Sequence, residues 1–208
     1  LIDGVPLDEW GRRVDREADS HRARLKRKLE VAIQICRAVA HAHVHAVIHR
    51  DLKPTNILID GRDRASVLDF GVAHAIDGVD RPVTVTGEFT GTLAYSAPEE
   101  LQRTGAASDA RTDIYSLGVL IHQLVTGHLP HDDGLPVHGL IEAIVHQQAA
   151  VRPADSTGNR IGRDLETILL KALSNDPDRR YQSGAALADD LVRFLEGAPI
   201  EARRDSTL

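Results

Sequence analysis

The sequence predicts a mainly α-helical domain that carries one short β-hairpin. Apolar residues recur at three- to four-residue spacing in several long segments, as expected of amphipathic helices. Only two short apolar runs, Ile57–Ile59 and Ser66–Leu68, resemble strands, and Asp60-Gly61 after the first run supplies a turn. The 208 residues, of which 42% are hydrophobic and 27% are charged, are enough to bury a core.

The first part of the chain predicts two helices. Pro6-Leu7-Asp8-Glu9 has the proline and the acidic residues of a helix start. From Leu25 to about His45 the apolar positions follow a helical period, which predicts a long amphipathic helix. The basic run His21–Lys28 is expected to be the solvated face of a helix, and a phosphate-binding patch is the alternative.

The second half predicts further helices after a long loop. Residues 73–88 show little periodicity and are expected to form that loop. Asp113–Val125 is apolar on most faces and is followed by Gly127, so it predicts a buried central helix. Other helices are expected over 137–148, 164–174 and 183–196, the last with Ser183 as its N-cap and Gly197 as its stop.

Composition argues against several classes of protein. The net charge of −6 does not suit a uniformly basic nucleic-acid binder, so no nucleic-acid partner is expected. The single cysteine, Cys36, cannot form an internal disulfide. The sequence contains no apolar run of 18 residues, so no membrane segment is expected in this chain. The absence of methionine leads us to expect a piece of a longer protein.

Three short sequence motifs follow one another along the chain, and their order is informative. They are His49-Arg50-Asp51-Leu52-Lys53-Pro54-Thr55-Asn56, then Asp69-Phe70-Gly71, and then Ala97-Pro98-Glu99. On these motifs the chain resembles the C-terminal lobe of a bacterial, eukaryotic-like serine/threonine protein kinase. The resemblance implies a protein-kinase-like fold, with a large helical lobe and a short β-hairpin and without the small N-terminal lobe.

The resemblance implies ATP and Mg²⁺ as cofactors and proteins with serine or threonine acceptors as substrates. Phosphoryl transfer needs a positioned hydroxyl and cations on the phosphate oxygens. Asp51 would accept the hydroxyl proton or orient the hydroxyl, and Lys53 would place a charge on the transferred phosphate. Asn56 and Asp69 would bind Mg²⁺ through hard oxygen atoms. Leu58 would lie beneath the adenine.

Residues between the second and third motifs carry further implied roles. Thr92 would bridge Asp51 and Lys53. This threonine and Lys53 together indicate specificity for serine and threonine acceptors. Arg50, in the first motif, would pair with a phosphate on the loop between the second and third motifs. The candidate phosphorylation sites are Thr84, Thr86 and Thr90, for which an unmodified loop threonine is the alternative.

The remaining implied roles are structural. Glu99 would form a buried ion pair with Arg180, and Asp113 would hold the catalytic-loop backbone. The other residues with structural roles are His49 and Phe70, which would stack beneath the site, and Gly71. Two residues depart from the family pattern: Ala46 replaces a glycine at a left-handed turn, and His131 replaces a phenylalanine.

The histidines of the long helix suggest one alternative site. His41, His43, His45 and His49 lie close together in sequence, and His41 and His45 are one helical turn apart. This spacing is compatible with zinc. Kinase roles for two of these positions weigh against that alternative, and Cys36 does not lie on the His41 face.

We expect residues 1–197 to be the large lobe of a kinase catalytic domain and 198–208 to be a tail. Residues 1–4 would be the hinge, with the backbone of Ile2 facing the adenine, and 69–99 would be the activation segment. The chain has neither a glycine-rich loop nor the lysine of the small lobe.

These absences leave two functions open. One is a serine/threonine kinase represented here by a fragment that is inactive alone. The other is a noncatalytic lobe that binds other proteins. A kinase homodimer is a further expected partner. The expected location is the cytoplasm, with a tether to the inner membrane in the full-length protein.

Overall fold

The computed structural model describes residues 3–70, 92–102, 109–132, 134–146, 149–151, 154–155 and 157–202. Within these ranges the helices are α1 (Leu7–Glu17), α2 (His21–Val44), α3 (Pro98–Leu101), α4 (Ala110–Thr126), α5 (Val137–His146), α6 (Arg163–Ala172) and α7 (Gly184–Glu196). The strands are β1 (Val5–Pro6), β2 (Ile57–Ile59) and β3 (Ala65–Val67), and short 3₁₀ turns span Pro54–Asn56 and Pro177–Arg179. The predicted mainly helical fold with a small hairpin is confirmed.

Helix α4 forms the centre of the lobe. Nearly every residue from Thr112 to Thr126 is buried, and α2 and α6 pack against it. Gly127 ends the helix in the left-handed conformation, with φ 76°, as the sequence predicts. The other elements of the lobe therefore pack around one apolar helix that is almost entirely buried.

Helix α2 begins earlier than its apolar period predicts. Ser20 caps it, because its hydroxyl accepts a hydrogen bond from the amide of Ala23 at 3.2 Å. The expectation of a solvated basic face holds for only part of this run, since Arg22 and Lys26 are exposed. The Lys28 side chain is only 5% exposed and lies 2.7 Å from Asp15, and Arg24 contacts Asp155 at 3.3 Å. Acidic side chains from α1 and from a distant loop cover Lys28 and Arg24.

The hairpin has a third strand that the sequence does not reveal. Strand β1 pairs antiparallel with β2, and β2 pairs antiparallel with β3. The added strand is two residues long and includes Pro6, so it has no alternating pattern to detect. At the hairpin turn, the Asp60 carboxylate accepts hydrogen bonds from the amides of Arg62 and Arg64, which lowers the pKa of Asp60 to about 2.

The C-terminal helix is capped as predicted and carries the chain back onto the lobe. Ser183 accepts from the amide of Ala186 at 3.1 Å. Buried Asp190 accepts from the amides of Glu201 and Ala202 at 2.7 and 2.8 Å. The segment up to Ala202 is thus packed against α7, five residues beyond the predicted end of the lobe at residue 197. In the described part of the chain, no helix is both long and apolar enough to span a membrane.

Candidate active site

Asp113, near the start of α4, holds the backbone of the first motif. Its two carboxylate oxygens accept hydrogen bonds from the amides of His49 and Arg50, at 2.8 and 2.9 Å. Arg50 has a positive φ of 65°, which costs a non-glycine residue roughly 1 kcal/mol. The two hydrogen bonds that the buried carboxylate accepts offset this cost and fix the turn that presents Asp51.

His43 is a further support of this turn that the sequence argument missed. Its Nε2 lies 2.7 Å from Asp113 Oδ2, and its Nδ1 is buried without a hydrogen-bond partner among the described residues. His43 occupies the apolar stripe of α2, and a histidine on a buried stripe is the signal that could have identified it. The left-handed turn expected at Ala46, three residues later, is confirmed by its φ of 58°.

The second motif lies against the first. The ring centroids of His49 and Phe70 are 4.9 Å apart, and His49 Nε2 lies 2.7 Å from the carbonyl oxygen of Leu68. Asp69 has a φ of 58°, again a left-handed conformation for a residue with a side chain. The β2–β3 hairpin therefore returns Asp69 to the side of the turn at His49–Asp51.

The structure brings together the polar side chains that follow the turn. Lys53 Nζ lies 2.9 Å from Asp51 Oδ2 and donates to the Thr92 hydroxyl at 3.3 Å. The amide nitrogen of Asn56 donates to Asp51 twice, to its carbonyl oxygen at 2.8 Å and to Oδ2 at 3.0 Å. The side chains of Asp51 and Lys53 are 28% and 26% exposed, so a substrate can reach them.

The donor set fits a magnesium ion. Because the Asn56 amide nitrogen donates to Asp51, the amide oxygen is the remaining ligand atom of that side chain. This oxygen and the carboxylate of Asp69 are both hard ligands of the kind that Mg²⁺ prefers. Leu58, in the centre of β2, is half-buried.

Glu99 and Arg180 form a bidentate pair. Both guanidinium NH₂ groups donate to the Glu99 carboxylate, each at 2.7 Å. Arg180 also donates to the carbonyl oxygens of Ser174 and Arg111, and it lies over the ring of Tyr115. Burial raises the pKa of the adjacent Glu100 to about 7. His131, the second departure from the family pattern, is buried and lies 3.3 Å from the Tyr115 hydroxyl.

Several predicted residues cannot be located. Ile2, Gly71, Thr84, Thr86 and Thr90 lie outside the described residues. The three threonines in this group are the candidate phosphorylation sites with which Arg50 was expected to pair.

The four clustered histidines separate into two groups. His43 contacts Asp113 and His49 contacts the carbonyl oxygen of Leu68, whereas His41 and His45 lie on the surface. Among the described residues, no three histidine, cysteine, aspartate or glutamate side chains converge on a potential metal position. Cys36 is fully buried, and this burial raises the pKa of its thiol to about 12.

Comparison with known proteins identifies the class to which this lobe and site belong. Residues 12–192 match the protein kinase domain, and the chain belongs to the protein kinase family. It is 38% identical over 177 residues to the serine/threonine-protein kinase PknB of Mycobacterium tuberculosis, which covers 85% of this chain. It is also 36% identical over 211 residues to the serine/threonine-protein kinase Pkn1 of Myxococcus xanthus, which covers 98% of the chain. The chain spans 28% of the length of each of these relatives.

Proposed function

We propose that this chain is the large lobe of a serine/threonine protein kinase that transfers the γ-phosphate of ATP to protein hydroxyls. The observation that carries the proposal is the cluster in which Asp51 contacts both Lys53 and Asn56 at 2.8–3.0 Å. Such a cluster combines a proton acceptor, a fixed positive charge and an oxygen ligand within one short turn. The names of the bacterial relatives support the same activity.

Each residue of the cluster has a distinct proposed role. Asp51 accepts the proton of the acceptor hydroxyl or orients that hydroxyl, and Thr92 positions Lys53 from the opposite segment. Lys53 stabilises the transferred phosphate by its charge. Asn56 and Asp69 hold Mg²⁺, which neutralises charge on the phosphate oxygens when it is bound. Leu58 and the backbone of Ile2 are proposed to contact the adenine.

The lobe is proposed to extend from the hinge at residues 1–4 to Ala202. The packing of Glu201 and Ala202 on Asp190 supports this end point over one at residue 197. Regulation by phosphorylation of Thr84, Thr86 or Thr90, read by Arg50, remains part of the proposal.

The test is protein phosphorylation by the full-length product of the reading frame that encodes this chain. We expect Asp51→Asn to lower kcat by at least 100-fold, because proton acceptance or hydroxyl orientation is lost. Asp189→Asn, at an exposed position of α7, is the matched control and should leave the rate unchanged.

Two results would contradict the proposal. One is phosphorylation that persists in the Asp51→Asn protein. The other is a full-length protein without Mg-ATP-dependent transfer, which would favour a noncatalytic lobe that binds other proteins.

A further inference from the structure

Helix α4 contacts both halves of the proposed active site. Near its N-terminal end, Asp113 holds the turn that presents Asp51. One helical turn later, the hydroxyl of Ser116 donates to the carbonyl oxygen of Tyr95 at 2.7 Å. Tyr95 belongs to the segment that carries Thr92. Because residues three apart on a helix share one face, Asp113 and Ser116 make these contacts from the same side of α4.

The hydroxyl of Ser116 is directed mainly away from its own helix. A serine inside a helix commonly donates to the carbonyl oxygen four residues earlier. That oxygen, on Thr112, lies 3.4 Å from the Ser116 hydroxyl, whereas the oxygen of Tyr95 lies at 2.7 Å. Ser116 and Tyr95 are both buried, so a lost hydrogen bond would leave the Tyr95 carbonyl without a ready replacement from water. The shorter hydrogen bond therefore serves the neighbouring segment.

The carbonyl that Ser116 holds lies in the turn that begins at Thr92. The amide of Tyr95 donates to the carbonyl oxygen of Thr92 at 3.2 Å. The hydroxyl of Thr92 in turn accepts a hydrogen bond from Lys53 Nζ at 3.3 Å. A continuous series of hydrogen bonds thus leads from Ser116 through Tyr95 to the contact between Thr92 and Lys53.

The side chain of Tyr95 is fastened to the same helix at a second point. Its hydroxyl donates to Gln123 Oε1 at 2.7 Å, and Gln123 lies two helical turns after Ser116. A helix keeps its attachment points at fixed spacings. Helix α4 therefore sets the position of the Thr92 segment relative to the turn that presents Asp51.

We propose that Ser116 is a positioning residue for phosphoryl transfer, which acts through the Tyr95 carbonyl to hold Thr92 against Lys53. The inference rests on the proposed kinase function, from which Thr92 and Lys53 take their roles. Without the Ser116 hydroxyl, the Thr92 segment can shift, and the Lys53 charge is no longer held where the phosphate is transferred.

The first test is protein phosphorylation by the full-length protein that carries Ser116→Ala. We expect kcat to fall about three- to tenfold, because a lost hydrogen bond misplaces Lys53, and we expect KM for ATP to stay at the parent value. Thr167→Ala is the matched control, since it removes another buried helix hydroxyl, which donates to the carbonyl oxygen of Arg163 on α6. The control should leave both parameters unchanged.

Hydrogen exchange of the same proteins, measured by mass spectrometry, separates a local shift from general destabilisation. In Ser116→Ala, peptides that contain the amide of Tyr95 should exchange about three- to tenfold faster. Peptides that contain the amides of His49 and Arg50 should keep their parent rates, because Asp113 still holds them.

The inference is overturned by an active parent whose Ser116→Ala variant keeps its kcat, by an equal fall of kcat in Thr167→Ala, or by unchanged exchange at Tyr95. Faster exchange of both groups of peptides would also overturn it, since that result shows a general loss of stability. A parent protein without Mg-ATP-dependent transfer contradicts the proposed function and this role with it, whereas the other outcomes contradict the role of Ser116 alone.

Discussion

At the scale of single residues, the turn at His49–Asp51 depends on one buried carboxylate that contacts three groups. Asp113 accepts from two consecutive amides and also contacts His43. A carboxylate surrounded in this way cannot rotate without losing hydrogen bonds. Because the site is buried, hydrogen bonds to water do not replace them. The position of Asp51 thus depends on a histidine in α2 that is not part of the cluster of Asp51, Lys53 and Asn56.

This dependence predicts the effect of His43→Ala. Loss of the contact at 2.7 Å should free Asp113 to reorient, so the amides of His49 and Arg50 should exchange with deuterium about five- to tenfold faster. Native-state hydrogen exchange by NMR measures both amides. The substitution His138→Ala on α5 is the control, and equal exchange rates in the two variants would contradict the role assigned to His43.

At the scale of elements, α2 and α7 approach each other too closely for an ordinary side chain. A Cβ atom built at Gly184 would lie 2.6 Å from the carbonyl oxygen of Cys36 and 3.3 Å from the amide nitrogen of Ala40. Both atoms belong to backbone in the middle of a long helix, so neither can move alone. The glycine after Ser183 is therefore a packing requirement as well as the first residue of the helix.

We accordingly expect Gly184→Ala to lower the free energy of unfolding by about 1–3 kcal/mol, even though alanine favours helix formation. Urea denaturation of the chain measures the change. Gly61→Ala is a suitable control, since a Cβ at that hairpin position meets no atom within 4 Å. A stability loss of the same size in both variants would argue against the close approach as its cause.

At the scale of the whole molecule, Arg180 connects parts of the chain that are far apart in sequence. It pairs with Glu99 of α3 and donates to the carbonyl oxygens of Arg111 in α4 and of Ser174 after α6. The Arg180 side chain is fully buried, so partners within the protein must compensate its charge. The segment that carries Thr92 is tied to the helical core through this pair.

Removing this charge should affect the whole lobe. Arg180→Gln leaves the Glu99 carboxylate without its partner in a largely buried site, and we expect a loss of about 3–5 kcal/mol in unfolding free energy. Thermal and urea unfolding provide the measurement. The neighbouring Arg179 side chain is 63% exposed, so Arg179→Gln should change stability by less than about 1 kcal/mol. Similar losses from the two substitutions would contradict the structural role of Arg180.

The sequence by itself determined the elements whose signals are local. The period of α2, the apolar length of α4, the cap at Ser183 and the stop at Gly197 depend on residues close together in the chain, and the structure agrees with each of them. The three ordered motifs likewise indicated the kinase family, because a motif is a pattern of neighbouring residues.

Only the tertiary structure decided which distant partners meet. It showed that Lys28 is buried against Asp15, that β1 joins the hairpin, and that His43 supports Asp113 whereas His41 and His45 face outwards. These outcomes depend on contacts between residues many positions apart, and on small differences in direction around one helix. Local sequence does not encode such contacts, because they arise only when the chain has packed around α4.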